Sequence, residues 1–245
     1  MDSTLLLAMI VVAFSGAIFG TTGFGFALVS VPPLLLLYEP STIVALTFGI
    51  SLATSWLVVV SGRRELQGRL VLALLPGALV GMVAGARILA LVDPVVVKIA
   101  AGAIVCIYSV SLLAGFQPSG GRRWWIVTFA GLASGSLATS TGLSGPPIVM
   151  LFAARGLTKD AFRATISAYF VLISVAGLPI LIGSGALSRG DMRIAVSLVP
   201  AAIVGTVVGN RISRHLTAHG FRRLTLALLL ATGVMGVATA VLALV

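Results

Sequence analysis

The sequence predicts an all-α polytopic membrane protein of two inverted repeats, each a broken or re-entrant helical hairpin followed by three transmembrane helices. Three observations carry this: long uncharged apolar runs, an internal duplication, and an uneven distribution of basic residues. Of 245 residues, 59% are hydrophobic and 9% charged, whereas a soluble domain carries about a quarter charged residues. No Asp, Glu, Lys or Arg falls in 40–62, 70–86, 99–121, 124–154, 164–188, 194–210 or 224–245. Most of these runs reach the ~18–20 residues that a helix needs to cross a hydrocarbon layer. An outer-membrane barrel would show short alternating segments instead.

The duplication is clearest where Leu75-Pro76-Gly77-Ala78-Leu79-Val80-Gly81-Met82-Val83-Ala84-Gly85-Ala86-Arg87-Ile88 aligns without gaps on 199–212, sharing eight of fourteen positions. Gly16-x-x-x-Gly20 and Pro32-Pro33 pair in the same way with Gly131-x-x-x-Gly135 and Pro146-Pro147. The halves are therefore 1–115 and 124–245, joined by a polar linker at 116–123 on the cytoplasmic side. Two related halves around a central site is a common transporter plan.

Each half opens with an interrupted apolar run. In 5–37 the break is Gly20-Thr21-Thr22-Gly23-Phe24-Gly25, followed by Pro32-Pro33; in 124–154 it is the stretch from Gly135 to Pro147. Gly and Pro end helices, and Ser and Thr satisfy the backbone groups so freed. Three ordinary spans follow each break, at 41–61, 70–88 and 95–115, then at 161–183, 192–211 and 222–244.

Charge decides how many times each opening segment crosses. If it crosses once, seven basic residues face one side and nine the other. If it dips in and returns as a hairpin, Arg63, Arg64, Arg69, Arg122, Arg123, Arg155, Lys159, Arg163, Arg211, Arg214, Arg222 and Arg223 collect on one side. That is twelve against four, the four being Arg87, Lys98, Arg189 and Arg193. The positive-inside rule favours the hairpin. Each half then crosses three times, the halves are inverted, and both termini are extracytoplasmic. The first basic residue is Arg63, so a basic leader region is lacking and the N-terminus is expected to be retained. The net charge of +10 is explained by loops facing the lipid bilayer, and no nucleic-acid partner is expected.

The two breaks are the candidate substrate site. A helix starting inside the membrane leaves unpaired N–H groups and a partial positive charge of about half a unit at its N-terminus. Such ends bind anions without a charged side chain. The residues assigned to the site are Gly20, Thr21, Thr22, Gly23 and Gly25 in the first break. In the second they are Gly135, Ser136, Thr139, Ser140, Thr141, Gly142, Ser144 and Gly145. The competing reading of a lone Gly-x-x-x-Gly is close helix packing, and that account is preferred for Gly81-x-x-x-Gly85 and Gly205-x-x-x-Gly209, which lie in unbroken runs. Arg87 and Arg211 end those runs and are read as snorkelling side chains.

Arg163, Thr165 and Tyr169 form a polar face at helical spacing that could line the pathway, with Asp160 and Arg163 one turn apart and paired. His215 and His219 are read as solvated, and Cys106 as a small packing residue. No metal and no cofactor are expected. No Asp or Glu lies within a predicted span, so the usual carboxylate for proton relay is missing. A coupling ion, proton or sodium, would have to use carbonyls, hydroxyls or the substrate's own ionisation. No nucleophile–base pair can be assembled within the spans, so enzymatic activity is not expected.

The early Gly16, Gly20, Gly23, Gly25 series followed by Pro32, together with Gly145-Pro146-Pro147 and Arg163-Ala164-Thr165, resembles the TauE/SafE family of sulfite and organosulfur-anion exporters. The likeness in motif, size and duplication covers nearly the whole chain. It implies an inner-membrane transporter of small sulfur-containing anions, often acting outward. This chain has Phe26 where many members continue a Gly-Gly run. The function expected is a secondary transporter working by alternating access on a small anionic substrate such as sulfite or an organosulfonate. An anion channel and a carboxylate transporter are the alternatives. A membrane scaffold would have no use for irregular backbone at membrane depth.

Overall fold

The computed structural model describes residues 3–113 and 123–217. Nine α-helices run through them: α1 Ser3–Thr22, α2 Phe26–Leu34, α3 Pro40–Gly62, α4 Gly68–Leu91, α5 Pro94–Leu113, α6 Trp124–Thr141, α7 Gly145–Ala154, α8 Lys159–Gly183 and α9 Arg189–His215. Five of them, α1, α3, α4, α8 and α9, are long and apolar enough to cross a membrane. The expected spans at 41–61, 70–88, 161–183 and 192–211 fall on α3, α4, α8 and α9, and the expected span at 95–115 falls on α5, outside those five, as far as the described residues reach. The expected span at 222–244, most of the linker and His219 lie outside the described residues, as do the side-chain surroundings of Cys106.

Both breaks occur where glycine can take a left-handed backbone. Gly23 and Gly25 have φ of +79° and +91°, and Gly142 has +78°. α1 ends with the Gly23 N–H donating to the Phe19 carbonyl at 2.6 Å. α6 ends in a glycine cap, with Gly142 N–H reaching the Ala138 carbonyl at 3.0 Å and Leu143 N–H the Leu137 carbonyl at 3.3 Å. The Gly142–Ala138 bond, from a left-handed glycine just past the helix to the carbonyl four residues back, is the αL cap. The second break is shorter than its composition suggests. Helix α6 continues through Gly135 to Thr141, because the Thr139, Ser140 and Thr141 hydroxyls bond carbonyls one turn back and tolerate the helix. Only 142–144 are non-helical. Pro146 and Pro147 sit in the first turn of α7, where a missing N–H costs little.

Two glycine seams set the helix directions. Gly16 and Gly20 of α1 back onto Ala202 and Thr206 of α9, while Gly205 and Gly209 back onto Ala13 and Ala17. The numbers rise together, so α1 and α9 run parallel. Gly77, Gly81 and Gly85 of α4 meet the carbonyls of Thr128, Leu132 and Ser136, and Gly131 and Gly135 of α6 meet Leu74 and Ala78, so α4 and α6 are parallel too. A Cβ at most of these glycines would overlap a carbonyl oxygen of the facing helix. The close-packing account of Gly81, Gly85, Gly205 and Gly209 is therefore borne out.

The centre is formed by α3 and α8. Gly62 lies by Ala164 and Phe48 by Gly177, so these two helices are antiparallel. Thr42 donates to Asp191, and Ser61 to Asn210 at 3.2 Å, so α3 and α9 are parallel. One end of the bundle therefore gathers the C-termini of α3 and α9 with the N-terminus of α8, where Lys159 Nζ donates to the carbonyls of Ser213 (3.1 Å) and Leu216 (2.9 Å). The opposite end carries the Lys98–Glu39 ion pair at 3.4 Å and the capping box of Ser188 and Asp191.

Candidate functional site

Short helices α2 and α7 each fold back along the helix before them, and their first turns face a common cavity of about 30 Å³. Gly25, Phe26, Ala27 and Leu28 line it from the first hairpin, and Gly142, Leu143, Ser144, Gly145 and Pro146 from the second. The remaining wall comes from mid-helix positions on α3 (Thr47, Phe48, Ser51) and α8 (Phe170, Ile173, Ser174), plus Phe19 of α1. Phe19 and Phe170 stack in tilted fashion, centroids 6.3 Å apart.

The polar groups here are backbone donors and a few hydroxyls. The first intrahelical bond of α2 at this end runs from Val29 N–H to Gly25 carbonyl, at 3.1 Å. The N–H groups of Phe26, Ala27 and Leu28 precede it and have no intrahelical acceptor. In α7 the corresponding three positions are Gly145, Pro146 and Pro147, and only Gly145 carries an N–H. The hydroxyls of Ser51, Ser144 and Ser174 have no hydrogen-bond partner among the described residues. Thr47 donates to the Val44 carbonyl at 2.9 Å, leaving its oxygen as an acceptor. Four phenylalanines make the rest of the wall apolar, which strengthens any N–H to anion bond by excluding water.

Of the thirteen residues assigned to the site from sequence, Gly25, Gly142, Ser144 and Gly145 line the cavity. The others stand behind it. Thr21 donates to the Ala17 carbonyl (2.7 Å), with the Gly209 carbonyl at 3.1 Å. Thr22 donates to the Ile18 carbonyl (2.8 Å) and accepts from Phe24 N–H (3.3 Å), which closes the turn. Thr139 donates to Met82 on α4 (2.8 Å), Ser140 to Ser136 (2.8 Å) and Thr141 to Leu137 (2.9 Å). Gly20 and Gly135 lie in the two seams, and Gly23 rests on Arg163.

The three pathway candidates tie elements together. The Arg163 Nη2 donates to the Gly20 carbonyl at 2.6 Å and to Asn210 at 3.0 Å, and Nη1 lies 3.9 Å from Asp160. Thr165 accepts from Gln67 N–H at 3.1 Å. Tyr169, fully buried, donates to Ser134 Oγ at 2.9 Å, which in turn donates to the Ser144 carbonyl at 2.6 Å. The α8 helix thus holds the first hairpin through Arg163 and the second through Tyr169. Thr47, Ser51 and Ser174 were missed. Thr47 and Ser51 stand four apart, and Thr54 and Ser55 continue the same helical face, a one-sided hydroxyl stripe that would have marked a lined cavity. Among the described residues there is no group of three metal-ligating side chains.

Paired half-helices whose starts converge on a small cavity inside a membrane-spanning bundle define a membrane transporter of the broken-helix class. The chain belongs to the sulfite exporter TauE/SafE family, whose model matches residues 8–236. It is also similar to a "Probable inner membrane transporter protein TsaS" from Comamonas testosteroni, 28% identical over 173 residues, covering 69% of this chain and 72% of that protein. No solved structure matches the chain.

Proposed function

We propose that this transporter moves small sulfur-containing oxyanions such as sulfite or an organosulfonate outward across the inner membrane by alternating access. The observation that carries the reading is the convergence of the α2 and α7 first turns on one cavity. Free N–H groups at a helix start favour negative charge. The anion is held by the N–H groups of Phe26, Ala27, Leu28 and Gly145 and by the hydroxyls of Ser51, Ser144 and Ser174. Thr21, Thr22, Thr139, Ser140 and Thr141 shape the turns from behind.

The two halves act as inverted repeats. Supporting this, α1 and α3 both run parallel to α9, while α8 runs antiparallel to α3. The basic end, with Arg63, Arg64, Lys159, Arg211 and Arg214, is cytoplasmic by the positive-inside rule, which puts the N-terminus outside. The cavity as it stands is water-sized, so loading requires a hairpin tip to shift. A proton or sodium ion couples the cycle through carbonyls, hydroxyls or substrate protonation.

Counterflow of radiolabelled sulfite in proteoliposomes under anaerobic conditions tests the proposal. Saturable counterflow is the expected result. Anion current without counterflow would establish a channel, and counterflow with short carboxylates but with neither sulfite nor sulfonates would overturn the substrate class. Cysteine labelling of S3C and S119C reports on inversion: the two sites should be reactive from opposite sides.

A further inference from the structure

Below the first hairpin, at the basic end of the bundle, lies a second cavity of about 350 Å³. Its wall carries Lys159, Arg163 and Arg214 against the single carboxylate Asp160, with Ser61 and Asn210 beside them. It shares no residue with the wall of the central cavity.

Three features mark it as built for an anion. Arg163 is buried, 7% exposed, and its Nε has no hydrogen-bond partner. An unpaired buried guanidinium N–H is costly, and because this Nε is sealed from the cavity, the side chain gains by turning it toward an anion there. Arg214 is exposed and has no protein partner among the described residues. The Asn210 carbonyl oxygen is taken by Arg163 and Ser61, which turns its NH₂ into a spare donor. Asp160 is 58% exposed at the side chain and 3.9 Å from Arg163, too loose and too wet to neutralise three cations.

We infer that this cavity is a second oxyanion-binding station, at which Arg163, Arg214 and the Asn210 amide receive a small free oxyanion before it reaches the central cavity. The inference rests on the transporter reading for its purpose, though not for its chemistry. Its geometry also ties it to the gate. Arg163 Nη2 holds the Gly20 carbonyl at the end of α1, and Gly23 of the turn lies directly against the Arg163 backbone. An oxyanion that draws the guanidinium toward itself competes with that carbonyl, so occupancy of the station loosens the first hairpin.

The test uses the full chain in phosphatidylcholine nanodiscs at low ionic strength, with sulfate and sulfite titrated calorimetrically. Two binding events are expected in the unaltered protein, with Arg214→Gln losing one and Arg214→Lys keeping both. In inside-out vesicles, which present the basic end to the medium, Arg214→Gln should raise the sulfite KM about fivefold, with Vmax within about twofold and the difference shrinking as salt rises. Equal anion binding by Arg214→Gln and unaltered protein overturns the station, as does a fall in Vmax with KM unchanged. A phosphatidylglycerol-dependent stabilisation lost in Arg214→Gln, with no sulfate or sulfite binding there, would assign the site to a lipid headgroup and overturn the free anion. Loss of all oxyanion transport with both binding events intact would remove the transporter reading and leave the station standing.

Discussion

The first turn of α2 offers three backbone N–H groups to the central cavity, and the first turn of α7 offers one, because Pro146 and Pro147 occupy the other two positions. The hairpins descend from one duplicated pattern, and each begins its short helix beyond a left-handed glycine. They differ in what holds them. The end of α1 is held by a charged side chain, Arg163, at the Gly20 carbonyl, and the start of α7 by a neutral relay from Tyr169 through Ser134 to Ser144. The duplication thus repeats a shape and divides the labour: α2 supplies donors, and α7, stiffened by two prolines, supplies a wall and one amide.

Making α2 like α7 is the severest way to break this contrast. Pro32-Pro33, which the repeat aligns with Pro146-Pro147, lie in the last turn of α2 and not its first; by helix position it is Ala27 that corresponds to Pro146, and proline is tolerated in a first helical turn. Ala27→Pro removes one of the backbone donors at the proposed anion site. Hydrogen bonds to a charged group contribute about 1.5–3 kcal/mol, so the sulfite KM in counterflow should rise by at least about tenfold. An unchanged KM would mean that the anion does not sit on the α2 amides.

The second turn is tested by its glycine. Gly142 has φ +78°, and a Cβ there would lie 3.0 Å from Thr47 Oγ1. A side chain in that conformation is strained by about 1–2 kcal/mol, so Gly142→Ala should lower the thermal unfolding midpoint in detergent measurably. Gly145→Ala, where a Cβ meets nothing within 4 Å, is the matched control and should leave the midpoint in place. Equal effects would show that the turn is freer than its backbone implies.

Much of this was legible in the chain. The glycine and proline punctuation located both breaks, and the paired Gly-x-x-x-Gly segments located the two seams, because close approach of helix backbones admits little else. The hydroxyl side of the site was for the most part not legible. Ser and Thr inside a helix bond back to a carbonyl one turn earlier, so Thr139, Ser140 and Thr141 spend their protons on α4 and α6. Of the cavity hydroxyls only Ser144, in the second turn, was placed from composition; the others come from α3 and α8. Which face of α3 or α8 turns inward depends on packing with other helices. Composition within a break says nothing about that rotation.

Removing the relay is a smaller perturbation. Tyr169→Phe keeps the buried ring and deletes one hydrogen bond, for a loss of about 1 kcal/mol seen as a modest fall in the unfolding midpoint. The first hairpin has no part in that relay, so anion affinity at the α2 amides should change less than in Ala27→Pro. A tenfold loss of affinity would show that the α7 turn carries more of the binding than its one N–H suggests.

The mildest substitution separates turn-shaping hydroxyls from binding ones. Ser140 belongs to the second break by composition, yet its hydroxyl donates to the Ser136 carbonyl at 2.8 Å, and that carbonyl also faces Gly85 across the α4–α6 seam. Alanine is the better helix former at such a position and loses only a bond to a carbonyl within its own helix. Ser140→Ala is expected to shift stability by less than about 0.5 kcal/mol and to leave sulfite counterflow at its original rate and KM. A clear rise in KM would move the Ser140 hydroxyl into the anion's coordination. The second hairpin would then match the first in donors, supplying from side chains what its prolines withhold from the backbone.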